Sequence, residues 1–426
     1  MDSRHIVLAT IGSLGDLHPF LALGKGLKAR GHRVTVATSE LFRKNVIASG
    51  LGFHAIRPDV GFVEMDKEFF KRLMDARNGT ETLLRELIIP SLKDTYDDLR
   101  SILETADYLV NHPIVYAGPI LADELKLKWA SVNLSPISTL SAYDMPIFPN
   151  VPGLSKLRVF GPMVTRPLLQ YGRGIIRPWS EPIRKFREGK GLPDRGDPIL
   201  EGQHSPDLVL SLWSKHFSTP QPDWLPQTVQ TGFLFYEEEE NETGVGKMPP
   251  ELAEFLEMGQ SPFVFTLGSA AVNAAEDFYR ISIQVAKRMR RRAVLLIGRD
   301  PSNLPPEPLP AGVIAVPYAP YSEVFPKAAC VVHSGGIGTT AQVLRAGKPQ
   351  LIFPFANDQP DNAARIVRLG LGRKVTKPEY NALNGAAQIL RLVFDGTYSD
   401  KAKLVGEAIR QEDGVAVAIR AIESKY

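Results

Sequence analysis

Two glycine-containing turns carry the side chains that could do chemistry in this sequence. The first spans residues 12–19 (Gly-Ser-Leu-Gly-Asp-Leu-His-Pro) and places a carboxylate, Asp16, and an imidazole, His18, beside a hydroxyl, Ser13. A carboxylate or an imidazole is the kind of group that takes a proton from an attacking hydroxyl. Aspartate is also a good cap for the start of a helix. The turn therefore predicts either a general base or a helix cap.

The second turn spans residues 333–340 and reads His-Ser-Gly-Gly-Ile-Gly-Thr-Thr. Its glycines would let the backbone approach a ligand, and free N–H groups at the start of a helix bind phosphate. The hydroxyls of Ser334 and Thr339 add donors. A turn that only packs a strand against a helix would look similar, but a polar loop, residues 357–359 (Asn-Asp-Gln), follows one strand later. Its carboxylate and amide suit sugar hydroxyls, so the two features together predict a site for a phosphorylated sugar.

Both turns lie between a predicted strand and a predicted helix. Short apolar segments and a helical pattern alternate at residues 5–10, 20–30 and 34–38, and again at residues 328–332, 340–345 and 350–354. This order predicts parallel sheets in an α/β fold, with both turns at the carboxyl ends of strands, where open sheets of this kind bind ligands. The first turn lacks the G-x-G-x-x-G pattern, and the second strand has no acid in the ribose position, which argues against a bound NAD.

Length and composition limit the class of protein. The 426 residues predict two domains of about 200 residues each, joined by a linker over 216–245 that holds a proline-rich stretch and an acidic run at 237–240. A net charge of +3 is too small to favour nucleic acid. The chain opens directly on a strand, has no long apolar run and has one cysteine, Cys330, which predicts a cytoplasmic protein. It also lacks an Asp-x-Asp pair and any His/Cys cluster with metal spacing, so no metal is expected.

The second turn and the polar loop resemble a known donor-site signature. The segment HSGGIGTTAQVLRAGKPQLIFPFANDQPDNA looks like that of GT-B glycosyltransferases of the UDP-glycosyltransferase superfamily, and is most similar to bacterial enzymes that glycosylate sterols, lipids and flavonoids, rhamnosyltransferases among them. The resemblance covers nearly the whole chain and is weakest over residues 60–200. It implies a GT-B fold, in which two Rossmann-like domains face each other across a cleft. Residues 1–215 would bind the acceptor and 246–400 the nucleotide sugar, and 401–426 would form a C-terminal helix that returns to the first domain.

The resemblance also implies a role for each matching residue. Asp16 would be the general base, with His18 as the alternative, and Tyr318 would stack on the nucleotide base. Asp358 and Gln359 would hold the sugar. The acceptor cleft would include Ser13 and His112, although a structural role for His112 fits the sequence equally well. The residues implied to bind the donor diphosphate are Ser269, His333, Ser334, Gly335, Gly336, Gly338 and Thr339. Many relatives carry a second histidine where this chain has Ser334, so backbone N–H groups are expected to carry more of the phosphate binding.

The reaction implied by the resemblance is the transfer of glucose or rhamnose, with inversion and without a metal. The donor would be a UDP- or dTDP-sugar, which acts as co-substrate, so no cofactor is expected. The acceptor would be a hydroxyl of a small lipophilic molecule: a flavonoid or other phenol, a sterol or a hydroxyacyl lipid. Two alternatives remain open: an epimerase or phosphorylase on the same fold, and a non-catalytic protein that binds a sugar nucleotide.

A basic, aromatic-containing stretch is the last feature with a functional prediction. Residues 156–195 contain ten lysines and arginines against three acids, with aromatic side chains interleaved. This pattern is typical of a peripheral membrane contact or of a surface for a lipophilic acceptor. An ordinary solvated helical face is the alternative.

Overall fold

The structure is a computed structural model that describes residues 3–59, 67–148, 151–237, 247–304 and 308–426. The strands, in chain order, are β1 His5–Ala9, β2 Arg33–Thr38, β3 Gly52–Ala55, β4 Tyr108–Asn111, β5 Trp129–Asn133, β6 Leu208–Ser211, β7 Thr228–Gln230, β8 Phe263–Thr266, β9 Ala293–Leu296, β10 Val313–Val316, β11 Cys330–His333, β12 Gln350–Ile352 and β13 Gly372–Lys374.

The helices, in the same order, are α1 Leu14–Ala29, α2 Arg43–Ala48, α3 Lys67–Leu73, α4 Gly79–Thr82, α5 Leu92–Leu103, α6 Ala117–Glu124, α7 Pro162–Ile176, α8 Glu181–Gly189, α9 Pro250–Glu257, α10 Gly268–Ala271, α11 Phe278–Met289, α12 Tyr321–Val324, α13 Ile337–Ala346, α14 Gln359–Leu369, α15 Ala382–Phe394, α16 Gly396–Arg410 and α17 Gly414–Glu423. A 3₁₀ segment, Pro152–Phe160, precedes α7. Within the part of the chain that the structure describes, no helix combines the length and the apolar character needed to cross a membrane.

The chain forms two compact units, each built on a parallel sheet. The N-terminal unit holds the described residues of 1–65, 77–236 and 413–426, and the C-terminal unit holds those of 66–76 and 237–412. The strand orders are β3-β2-β1-β4-β5-β6-β7 and β10-β9-β8-β11-β12-β13, and all neighbouring strands are parallel. The strand order reverses between β1 and β4 in one unit and between β8 and β11 in the other. The prediction of two Rossmann-like domains is confirmed.

The apolar side chains of the central strands alternate between the two faces of each sheet, and each face is covered by helices. In β1, Ile6 and Leu8 join the apolar cluster under α1 and α17, whereas Val7 joins the cluster under α5 and α6. In β8, Phe263 and Val264 divide between two clusters in the same way. Successive side chains of a strand point to opposite faces, so a strand apolar at every position must be buried on both.

The predicted linker over 216–245 needs a correction. Residues Thr228–Gln230 form β7, which pairs with β6 in the register Val209↔Thr228 and so extends the sheet of the N-terminal unit. The proline-rich stretch at 219–226 is therefore a loop within that unit. Residues 238–240 of the acidic run lie outside the described residues. Glu237, which is described, begins the C-terminal unit, and its carboxylate lies 2.6 Å from the Arg345 guanidinium.

The last helix belongs to the N-terminal unit. The chain leaves the C-terminal unit after α16, so α17, and not the whole of 401–426, packs on α1. Ile419 and Ile422 are buried in the cluster beneath α1. Arg30, at the end of α1, donates two hydrogen bonds of 3.0 Å to the Glu423 carboxylate. Conversely, α3 lies in the first half of the chain but belongs to the C-terminal unit. Met74, just after α3, packs on the core of that unit.

Candidate active site

The first turn lies at the switch point of the N-terminal sheet. It follows β1, and His112 follows β4, the neighbour of β1 in the register Ala9↔Asn111. Because both strands are parallel, the turn and His112 emerge at the same edge of the sheet. This edge, at a reversal of strand order, is where open α/β sheets bind ligands.

Asp16 is held as an ionised carboxylate at the start of α1. Its Oδ2 accepts hydrogen bonds from the backbone N–H of Ser13, at 2.7 Å, and from the Ser13 hydroxyl, at 3.0 Å. Its Oδ1 lies 3.4 Å from Nε2 of His112, and 31% of the side chain is exposed. Burial alone would raise the pKa of the Asp16 carboxyl, but the His112 ring and the two Ser13 donors outweigh it and hold the pKa below its usual value. Ser13 is thus the N-cap of α1, and Asp16, inside the helix, completes the capping box with a partly exposed carboxylate.

His112 is a buried partner of Asp16. The backbone N–H of Ile114 lies 3.4 Å from Nδ1, so Nδ1 is the accepting nitrogen. In the neutral ring the proton is therefore on Nε2, which faces Asp16. Because the residue is only 5% exposed, its main neighbour is the carboxylate rather than a ligand. The sequence suggested each residue separately but gave no sign of this pairing.

His18 and Ser13 occupy different positions from Asp16. His18 lies two residues further along α1, about 200° around the helix from Asp16, and its ring packs 5.2 Å from that of Tyr236. The Ser13 hydroxyl donates to Asp16 and accepts from the Gly15 N–H at 3.2 Å. The Ser13 hydroxyl therefore supports the carboxylate, and because the residue is partly exposed, its place in the acceptor cleft stays a prediction.

The second turn lies at the corresponding switch point of the C-terminal sheet and opens α13. Gly336 is the N-cap residue and makes no side-chain cap, so the N–H groups of the first helical turn, from Ile337 to Thr339, have no acceptor within the helix. Gly336 and Gly338 are partly exposed. This is the arrangement that binds an anion at the start of a helix.

The turn after β8 lies against the start of α13. A Cβ added at Gly268 would lie 3.1 Å from the Thr339 hydroxyl oxygen. The φ of Gly268 is +72°, which also favours glycine at this position. The next residue, Ser269, is exposed. The loops after the neighbouring strands β8 and β11 therefore bring the Ser269 hydroxyl to the edge where α13 begins.

The diphosphate roles of the His333 and Ser334 side chains need a correction. His333 is fully buried; Nε2 lies 2.8 Å from Oε1 of Gln350, and Nδ1 accepts a 3.1 Å hydrogen bond from the Gly335 N–H. Burial lowers the pKa of His333 to about 4. The Ser334 hydroxyl donates its one proton to the carbonyl of Leu267 at 2.9 Å. Both side chains are buried, and their hydrogen bonds hold the turn in shape.

Asn362 joins the turn to the polar loop, and the sequence analysis missed it. Its side-chain N–H groups donate to the carbonyl of Gly335, at 2.9 Å, and to Oδ2 of Asp358, at 2.7 Å. The spacing of four residues from Asp358, on one face of α14, was the available signal. Asp358 is partly exposed, whereas Gln359 is 6% exposed and its Oε1 accepts from the Phe355 N–H at 2.8 Å. The two motifs thus form one hydrogen-bonded group.

Tyr318 lies two residues after β10 and has an exposed side chain. It is 41% exposed. By contrast, Tyr321 is partly buried, with its hydroxyl 3.0 Å from that of Thr266 and its ring centroid 4.3 Å from that of Phe325. Across the described ranges, no group of three or more His, Cys, Asp or Glu side chains is placed to hold a metal ion.

Comparison with known proteins identifies the family. Residues 6–98 match the model of the glycosyltransferase family 28 N-terminal domain, and residues 298–422 match that of the erythromycin biosynthesis protein CIII-like C-terminal domain. The chain is 33% identical to the O-mycaminosyltylonolide 6-deoxyallosyltransferase of Streptomyces fradiae, over 98% of this chain and 96% of that protein. It is 28% identical to the sterol 3-beta-glucosyltransferase UGT80A2 of Arabidopsis thaliana, over 98% of this chain and 64% of that longer protein.

Solved structures agree on the fold. The glycotransferase of kitacinnamycin has a TM-score of 0.69 at 22% identity, with both chains fully covered. The Streptomyces sp. SF2575 glycosyltransferase SsfS6, complexed with thymidine diphosphate, has a TM-score of 0.62 at 20% identity, with 99% of each chain covered. The protein belongs to the GT-B glycosyltransferases of the UDP-glycosyltransferase superfamily and is a glycosyltransferase.

Proposed function

We propose that the protein transfers a hexose, glucose or a 6-deoxyhexose such as rhamnose, from a UDP- or dTDP-sugar to a hydroxyl of a lipophilic acceptor, with inversion. The open first turn of α13 is the observation that carries this proposal, because it offers unpaired N–H groups to a diphosphate. The relatives support the rest. One is a 6-deoxyallosyltransferase acting on a tylonolide, one is a sterol glucosyltransferase, and one neighbour is complexed with thymidine diphosphate.

The C-terminal unit would bind the donor. The first-turn N–H groups of α13 and the Ser269 hydroxyl would hold the diphosphate and stabilise the charge that it gains as the glycosidic bond breaks. Tyr318 would stack on the base; stacking does not distinguish uracil from thymine. The partly exposed Asp358 carboxylate would accept hydrogen bonds from the sugar, and Gln359 would present its amide nitrogen, since its oxygen is already used by Phe355. We expect no metal to take part.

The N-terminal unit would bind the acceptor and supply the base. The acceptor oxygen forms a bond to the anomeric carbon while its proton passes to Asp16, and the electron pair of the broken C–O bond leaves with the diphosphate. Three donors face this carboxylate, so it is ionised at neutral pH and ready to take the proton. His112 would be a positioning residue that acts through Asp16. The position of His18 on another side of α1 makes it the weaker candidate for the base.

Turnover with defined donors tests the proposal. The purified protein would be incubated with UDP-glucose or dTDP-rhamnose and a panel of a macrolide aglycone, a flavonoid, a sterol and a hydroxy fatty acid. Mass spectrometry would detect the added sugar, and NMR its anomeric configuration. Asp16→Asn should lower turnover by about 10²–10⁴-fold, the usual contribution of a general base, and leave nucleotide binding intact. His18→Ala is the matched control and should keep its activity.

The possible outcomes are distinguishable. Full turnover in Asp16→Asn would show that another group is the base. Retention of configuration in the product would refute the inverting mechanism. Nucleotide binding without transfer to any acceptor would favour the non-catalytic alternative, against which the family membership argues. Release of free sugar phosphate, or isomerised donor, would favour a phosphorylase or an epimerase.

A further inference from the structure

The outward side of α7, with the end of the 3₁₀ segment before it, is apolar and exposed. We call this the α7 surface and define it by Val159, Phe160, Met163, Tyr171 and Ile175. These side chains are 78%, 64%, 89%, 75% and 56% exposed, in that order. A helix on the surface of a globular protein normally turns its polar residues outward, whereas α7 also exposes Met163, Tyr171 and Ile175.

The exposure does not come from a helix detached from the protein. The inner face of α7 buries Thr165 and Leu169, and Leu169 packs with Ala142 and Met145 in a small apolar cluster. The Thr165 hydroxyl donates to the carbonyl of Ala142. Met163, Tyr171 and Ile175 follow one another at spacings of eight and four residues, so they lie within an arc of about 120° on one side of the helix and form an apolar row. The row therefore stands on a fixed support.

The charge around this row has one sign. Residues 151–180 contain five cationic side chains and no aspartate or glutamate: Lys156, Arg158, Arg166, Arg173 and Arg177. Arg173 lies 3.4 Å from a carboxylate oxygen of Glu201. The other four form no ion pair with any carboxylate of the described residues. An apolar row flanked by unneutralised cations matches the interface of an anionic bilayer, where apolar side chains enter the headgroup region and cations meet lipid phosphates.

We propose that the α7 surface docks the protein on an anionic lipid membrane. The occupant follows from charge complementarity. A second copy of the chain would bring the same unpaired cations together, whereas a layer of lipid phosphates neutralises them. The proposal concerns binding alone and does not depend on the transfer reaction.

Co-sedimentation of the full chain with vesicles tests this proposal. We expect binding to phosphatidylcholine vesicles that contain phosphatidylglycerol, weak binding to phosphatidylcholine alone, and a fall in binding as salt rises. The double variant Met163→Ser/Tyr171→Ser should bind about tenfold or more weakly, since each buried apolar side chain contributes about that factor. Arg158→Gln/Arg166→Gln should lose the preference for anionic lipid. Phe394→Ser, at a residue 79% exposed in the C-terminal unit, is the matched control and should bind as the parent does.

Thermal unfolding of each variant would show that the fold is retained, which we expect because four of the five substituted positions are exposed and the fifth, Arg158, is partly exposed. Absence of parent binding to anionic vesicles would overturn the proposal. So would equal loss in Phe394→Ser, or unchanged binding in the Met163/Tyr171 double variant. If instead the double variant changed only the self-association of the chain in solution, measured by sedimentation velocity, the surface would be an interface between copies.

Discussion

Two adjacent glycines in the second turn should serve different purposes. We expect Gly335 to be needed for folding and Gly336 for donor binding. Gly335 has a φ of +89°, and a Cβ there would come 2.6 Å from Cγ2 of Ile352 and 3.2 Å from the carbonyl oxygen of Gln359. Gly336 has a φ of −57°, and a Cβ there would meet no protein atom within 4 Å. Alanine at Gly335 should therefore lower the stability of the fold, whereas alanine at Gly336 should weaken nucleotide binding.

Gly335→Ala should destabilise the C-terminal unit whether or not a ligand is bound. Left-handed backbone costs a non-glycine residue about 1–2 kcal/mol, and the close contacts add about 1–3 kcal/mol of overpacking. The expected loss in the free energy of unfolding is the sum, about 2–5 kcal/mol. Urea unfolding followed by circular dichroism would measure it as a lower midpoint.

Gly336→Ala should change stability by less than about 1 kcal/mol. If the diphosphate lies on the first turn of α13, the new methyl group stands where the phosphate must approach. Binding of UDP or dTDP should then weaken by at least about tenfold, or about 1.4 kcal/mol, in isothermal titration calorimetry. Gly396→Ala, where a Cβ also meets nothing within 4 Å, is the matched control and should change neither property.

Two results would refute this reasoning. Equal nucleotide affinity in the parent and in Gly336→Ala would remove the diphosphate from the start of α13. A Gly335→Ala variant as stable as the parent would contradict the close approach between the turn and Ile352.

Three further predictions test the site and its surroundings. His112→Ala removes a group that lowers the Asp16 pKa. The acid limb of the pH profile of kcat/KM should therefore move to higher pH, while donor affinity stays constant. An unchanged profile would show that His112 does not act on catalysis through Asp16. Tyr318→Ala should weaken nucleotide binding by about 1–3 kcal/mol, and Tyr318→Phe should not, by calorimetry. The pKa of about 4 for His333, against an ordinary 6.5, means that the unfolded chain takes the proton first as pH falls. Stability should therefore drop between about pH 6.5 and pH 4, on the order of 3 kcal/mol, and less steeply in His333→Gln, by urea unfolding at each pH.

The strands, the turns and the order of elements follow from short-range patterns, so the sequence predicted them. Alternation of apolar runs and glycine turns placed Asp16 and Gly336 at strand ends, and the structure has them there. The roles of His333 and Ser334 could not be read in this way. Their side chains are taken up by Gln350 and Leu267, which are distant in the chain, and burial by distant residues leaves no local signal.

The same limit applies to two other features. The pairing of Asp16 with His112 joins residues from two loops that only the strand order brings together. β7 has three residues, and its position at the edge of a sheet depends on pairing with β6 rather than on its own pattern. The proline-rich stretch before it was the stronger local signal and pointed to a linker. Asn362 differs from both. Its spacing of four residues from Asp358 is visible in the sequence, but its hydrogen bond to the carbonyl of Gly335 is not.

The return of α17 to α1 has a consequence during synthesis. The N-terminal unit begins earlier in the chain, yet part of its core, including Ile419 and Ile422, comes from α17, which follows the C-terminal unit. The C-terminal unit holds no residue after 412. The unit begun first is therefore the last to be completed, and until residues 413–426 have been synthesised, the side of α1 that packs against α17 lacks its cover.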